Sequence, residues 1–181
     1  MLLVAVTTGP RVSELTRITC QDLHLGTGAY ARCDGKGRKQ RITPLSVQTV
    51  QVLRVWARER DGQPADPLFP TRAGSPLSRD AVERLVAEHA ATAGQRCPSL
   101  AAKHVSPHVL RHTCAMQLLQ AGVDIATIAL WLGHESIETT QIYLHADLAL
   151  KERALARTAP PDCPPGRYQA PDDLLAFLDS L

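Results

Sequence analysis

The sequence predicts a mainly α-helical chain with one small antiparallel sheet or hairpin, an α+β arrangement. Apolar residues recur at helical spacing over most of the 181 residues, and several of these runs follow a Ser or Asp suited to an N-cap. Between Asp22 and Ser46 the pattern changes to short runs broken by glycine, which reads as strands and turns. No stretch reaches eighteen uninterrupted apolar residues, so no membrane span is expected.

Taken in order, "MLLVAVTTGP" has the texture of a buried helix already under way, with no leading cap. "RVSELTRI" continues as a short helix in which Ser13 and Glu14 interrupt Val12 and Leu15. "DLHLGTGAYARCDGKGRKQRITPLS" predicts short strands, with turns at Gly26-Thr27-Gly28 and at Gly35 to Gly37, and Tyr30–Asp34 paired with Gln40–Thr43. The glycines let the chain reverse and display a basic cluster at the tip. "SVQTVQVLRVWARER" is a helix capped by Ser46, and "DGQPADPLFPTRAGSPL" a Pro/Gly-rich connector. "SRDAVERLVAEHAATAG" is a second amphipathic helix, capped by Ser78 and closed by Gly94. "QRCPSLAAKHV" reads as a loop. Ser106-Pro107 then supplies an N-cap and first helical residue for a helix to about Gln120, stopped by Gly122. Asp124 caps "IATIALWL", Gly133 ends it, and Ser136 caps "IETTQIYLHADLALKERALA". "TAPPDCPPGRYQAP" is a proline-rich linker, and "DDLLAFLDSL" a short acidic amphipathic helix.

Composition limits the class of protein. A 44% hydrophobic content fits a soluble globular domain. The apolar opening is cut short by Thr7 and Arg11 and preceded by no positive segment, so it does not read as a signal peptide, and a cytoplasmic location is expected. Cys20, Cys33, Cys97, Cys114 and Cys163 are scattered and odd in number, which suits free thiols. Net charge is only +2, but residues 159–181 carry −3 and residues 1–158 therefore +5. Between Arg32 and Arg41 five of ten residues are basic. Such a run is either a solvated surface or an electrostatic footprint for nucleic acid.

The stretch "HVLRH", His108 to His112, admits several chemistries. Two histidines one helical turn apart suit zinc, but HExxH is absent and nothing fixes a third ligand. There is no GxSxG elbow for a serine nucleophile, and "GKGRK" lacks the spacing of a Walker loop. What remains suits a phosphodiester. Arginine presents a planar fork to two phosphate oxygens, histidine exchanges protons near neutral pH, and a lysine at a tip can reach a leaving oxygen. Tyr143, nine residues past His134, is a candidate nucleophile, or an aromatic packed on the core.

"TGPRVSEL", "GKGRKQRITPL" and "SPHVLRHTCAMQLLQAGVDIATIALWLGHESIETTQIYLH" occur in the order and at about the intervals seen in tyrosine recombinases, and the chain resembles the catalytic domain of that phage integrase family, especially its XerC/XerD-like members. The third block, HxxR then LGH then a tyrosine nine residues on, is highly specific. The resemblance covers roughly residues 1–157 and implies a catalytic-domain fold there, followed by a linker and tail helix over 158–181.

It further implies that Arg11 and Arg111 clamp the scissile phosphate and that Lys36 protonates the leaving 5′ oxygen, with Lys39 a weaker candidate. His108 would exchange the tyrosine proton, His134 would donate a hydrogen bond to the phosphate, and Tyr143 would form a 3′-phosphotyrosine bond. Glu14 would support the site, His112 would be structural, and Arg32, Arg38, Lys39 and Arg41 would bind DNA. The implied function is site-specific recombination, integration or transposition of double-stranded DNA, by a tetramer joined through tail helices, with no metal or other cofactor. Type IB topoisomerases share the chemistry, but the third block favours recombination. The family's N-terminal helical clamp domain is not represented, so a second expectation is a truncated DNA-binding remnant or regulator without catalysis.

Overall fold

The computed structural model describes residues 1–35, 40–134 and 140, all within one compact unit, Met1–Ala146. Lys36, Arg38, Lys39 and Tyr143, the helix expected after Ser136, the linker and the tail helix lie outside the described residues.

The described chain is mainly helical with a small antiparallel sheet. Helix α1 (Leu2–Thr8) buries Val4, Ala5 and Thr8, and Thr8 returns its hydroxyl to the Val4 carbonyl at 2.8 Å, so its polar group is satisfied inside the core. Gly9 ends α1 at φ 60°. A Cβ there would stand 2.6 Å from Leu132 Cδ2 and 3.2 Å from Cys114 Sγ, so both backbone sign and close approach require glycine. The short helix α2 (Val12–Leu15) follows Arg11, and a 3-10 turn (Cys20–Asp22) leads into the sheet.

Strands β1 (Leu23–His24), β2 (Tyr30–Asp34) and β3 (Gln40–Pro44) pair antiparallel in the order β1-β2-β3. Register sets Arg32 opposite Ile42 and Cys33 opposite Arg41. Directly opposed residues share a sheet face, so Cys33, Arg41 and Thr43 lie on one side and Arg32 and Ile42 on the other. The first side is covered: Thr43 is buried and Cys33 nearly so, whereas Ile42 is 63% exposed.

The remaining helices are α3 (Val47–Arg60), α4 (Arg79–Gly94), α5 (Pro98–Ala101), α6 (Pro107–Gln120) and α7 (Ile125–Leu132). The predicted caps of four of them form: Ser46, Ser78, Ser106 and Asp124 each accept from the backbone N–H three residues on. The connector between α3 and α4 is pinned by Trp56 Nε1 and Arg60 Nε, which donate to the carbonyls of Leu68 and Pro67. One core joins Val4 and Ala5 of α1 to Leu15, Ile18, Ala31, Leu53, Leu68, Phe69, Val82 and Val86. Buried residues of α6 and α7, among them Ala115, Leu119, Ile128 and Leu132, fill the side nearer the site.

Two details correct the sequence reading. Gly94 does not turn the chain out of α4; it is the last helical residue, and the next residue, Gln95, keeps right-handed dihedrals. Its hydrogen instead admits α5, since a Cβ would lie 3.1 Å from Ala101 Cα. The supposed loop after it therefore contains α5, started by Pro98 at a first-turn position.

Candidate active site

Three consecutive carbonyls at the end of α7 each receive a different arginine. Arg41 Nη1 donates to Trp131 O, Arg111 Nη2 to Leu132 O and Arg11 Nη2 to Gly133 O, all at 2.7 Å. These are the groups a helix leaves without intrahelical partners, and they carry its negative partial charge, so cations belong there. Gly133 makes the arrangement possible. At φ 63° it turns the chain, and a Cβ on it would press to 2.9 Å from Arg41 Cδ.

Each arginine is anchored a second time. Arg111, 6% exposed, also donates through Nη1 to the Gly9 carbonyl at 2.5 Å, so the ends of α1 and α7 share one guanidinium. Glu14 receives Arg11 Nη1 on Oε1 at 2.9 Å, and on Oε2 both the Arg11 backbone N–H at 2.9 Å and Arg41 Nη2 at 2.7 Å. Burial alone would raise the Glu14 carboxyl, but the charge and hydrogen bond of Arg41, with the bonds from Arg11, outweigh it and hold it below its ordinary value.

His134 follows Gly133 directly. Its Nδ1 lies 2.7 Å from the buried Thr140 hydroxyl. Burial, and then the positive charges of Arg111, Arg11 and Arg41, push its pKa down to about 4, so the ring is neutral at physiological pH. His108 is an exposed first-turn residue of α6, three positions before Arg111 and thus on the same helical flank. Arg11, His108, Arg111 and His134 together line a cleft of about 400 Å³, with Arg79 and Glu83 of α4 on its wall. A cleft lined by three arginines and two histidines against one carboxylate suits an anion with several oxygens.

The expected basic surface divides. Arg32, 39% exposed, pairs with Asp22 at 2.8 Å. Arg41, expected on the solvated tip as a DNA contact, is turned inward, with a side chain only 10% exposed. The physical reason is strand alternation, which puts it on the covered face beside Thr43. His112 is exposed on α6. Among the described residues no three His, Cys, Asp or Glu side chains cluster as metal ligands would.

Thr140 and the inner role of Arg41 were not expected. The Arg41 signal was present in the register: pairing Tyr30–Asp34 with Gln40–Thr43 opposes Arg41 to Cys33, a small apolar residue, rather than to Arg32. Thr140 offered no such signal, because a threonine six residues past a histidine is commonplace.

The family model described as phage integrase family matches residues 1–149. A protein of Sinorhizobium fredii named as the integrase/recombinase y4rC is 53% identical over 180 residues, covering 99% of this chain and 54% of that one. The tyrosine recombinase XerC of Pelobacter propionicus is 40% identical over 141 residues, 77% of this chain and 44% of that relative. Among solved structures, the XerH site-specific recombinase bound to palindromic difH substrate, a post-cleavage complex, superposes with a TM-score of 0.69 at 31% identity, covering 86% of this chain and 44% of that one. The chain thus spans about half the length of the curated relatives it matches.

Proposed function

The chain belongs to the phage integrase family, and from that premise we propose that it is a site-specific DNA recombinase that cuts and rejoins strands through Tyr143. The observation that carries the reading is the convergence of Arg11, of His108 and Arg111 on α6, and of His134 on one cleft, from three separate parts of the sequence.

In the proposed step the Tyr143 oxygen attacks phosphorus, its proton passes to His108, and the 5′ oxygen leaves with a proton from Lys36. Charge grows on the non-bridging oxygens, where Arg11, Arg111 and His134 supply fixed donors; each such donor is typically worth about 10²–10³ in rate. A His134 held at so low a pKa suits this role, because the neutral ring donates a hydrogen bond and is too weak a base to compete for the tyrosine proton. The bond to the 5′ oxygen is exchanged for an ester to Tyr143 that keeps its energy, so a second 5′ hydroxyl can displace the tyrosine and join new partners without ATP. Residues 1–157 form the catalytic domain in this reading, and 158–181 tether a tail helix that links protomers into a tetramer on double-stranded DNA.

The test is to incubate the chain with a pool of nicked duplexes randomised around the nick, in which the short cleaved end diffuses away, and to isolate adducts that survive detergent. Wild type is expected to trap DNA covalently, and Tyr143→Phe to trap none. Salt-sensitive binding without an adduct from wild type would replace this reading with a non-catalytic DNA-binding protein. Lys36→Ala is expected to slow trapping about 100-fold, and a bridging sulfur at the leaving position to restore it, because a thiolate departs without a proton; no restoration removes the acid role from Lys36.

A further inference from the structure

We propose that Arg41 is a positioning residue for the cleavage step, holding Arg11 in place by tying the Glu14 carboxylate to the end of α7. The proposal rests on the recombinase reading of the cleft.

Arg41 meets the surroundings of Arg11 at three points. Through Nη2 it holds Glu14 Oε2, the oxygen that also accepts from the Arg11 backbone. Through Nη1 it holds Trp131 O, two residues before the carbonyl that accepts from Arg11 Nη2. Its Cδ lies 2.9 Å from where a Cβ on Gly133 would be, and Arg11 Nη1 is 3.8 Å from that same point. A guanidinium can do this because it donates in two directions from one rigid plane, whereas an ammonium is a single point.

Charge balance gives Arg41 a second reason to be there. A lone Arg11–Glu14 pair would be neutral, its cation already spent on a carboxylate. With Arg41 included the group carries a net positive charge, which leaves Arg11 able to attract phosphate. Arg41 itself stays behind that carboxylate, 10% exposed, and is not among the residues lining the cleft.

The test uses the full chain and a duplex recovered from the adduct pool. Arg41→Gln is expected to slow adduct formation about 100-fold, the usual consequence of a misplaced catalytic group, while affinity for that duplex and its salt dependence stay within twofold of wild type. Arg41→Lys, which preserves charge, is expected to fold and to recover no more than about a tenth of the rate. Each variant is first shown to unfold cooperatively above the assay temperature.

If Arg41 instead meets phosphate, Arg41→Gln lowers affinity and reduces the salt slope by about one, and the proposal is overturned. It is equally overturned if the Arg41→Gln rate equals wild type, or if its loss multiplies with that of Glu14→Gln, since a residue acting through Glu14 adds nothing once Glu14 is changed.

A readout without DNA separates this proposal from the recombinase reading. The groups facing the Glu14 carboxylate are Arg11, Arg41 and the Cys33 thiol, which burial pushes up to about 11 and keeps neutral. The Glu14 carboxyl carbon, followed by NMR, is therefore expected to titrate at higher pH in Arg41→Gln and to be unmoved in Arg32→Gln. An unmoved carboxyl in Arg41→Gln overturns the link. A carboxyl that moves in Arg41→Gln, beside a wild type that traps no DNA, means that the recombinase reading is what failed.

Discussion

Arg32 and Arg41 lie on adjacent paired strands, each holds a carboxylate, and in the sequence they belong to the same basic run. Their surroundings differ. Arg32 binds Asp22 at the surface, 39% exposed, while Arg41 binds Glu14 with 10% and 2% of the two side chains exposed. The same kind of ion pair is a weak surface contact in one place and part of the frame behind the cleft in the other. What differs is the cover: one sheet face looks to solvent, and the other meets the carbonyl end of α7. Water screens the outer pair, and the inner pair is held by groups that cannot relax.

The contrast is broken or sharpened most strongly at Arg41. Arg41→Gln leaves Glu14 with Arg11 alone and Trp131 O without its cation, and is expected to destabilise the fold by about 3 kcal/mol in denaturant unfolding. A value near zero would place Arg41 with the surface pairs. Gly133→Ala should follow at about 2 kcal/mol, combining a left-handed residue with a Cβ 2.9 Å from Arg41 Cδ. If alanine is tolerated there, the arginine is not packed against the turn. Arg32→Gln is expected to leave the unfolding midpoint nearly unchanged, and a large fall would erase the distinction.

A further contrast concerns pH. The folded pKa of His134 is depressed from 6.5 to about 4. Between those values the unfolded chain binds a proton that the folded chain refuses. Stability contributed by this group is therefore complete above about 6.5, declines as pH falls, and is gone below about 4. Unfolding measured across that window should lose part of its slope in His134→Gln. An identical slope would mean that neither burial nor the arginines depress this ring.

Much of this was legible in the sequence because it is local. Ser46, Ser78, Ser106 and Asp124 could be read as caps because a cap bonds to an amide three residues away. The strands Tyr30–Asp34 and Gln40–Pro44 showed in glycine placement and in small or β-branched residues. The resemblance to tyrosine recombinases marked Arg11, His108, Arg111 and His134. Helix α5 was hidden in a polar stretch, and Gly94 looked like a helix stop when its use is to let Ala101 approach. Both depend on what packs opposite, which a local pattern does not encode.

Most of the elements, four of the caps and the residue types that could serve a phosphodiester were set by the sequence, since these follow from backbone propensity and side-chain chemistry over a few positions. Tertiary structure alone decided that the ends of α1 and α7 meet at Gly9 and Gly133, that three arginines share three successive carbonyls, and that Arg41 faces inward while Arg32 does not. Those outcomes need groups as far as 122 residues apart, such as Arg11 and Gly133, to occupy one desolvated space. There an unsatisfied carbonyl or carboxylate is costly enough to dictate which cation comes to it.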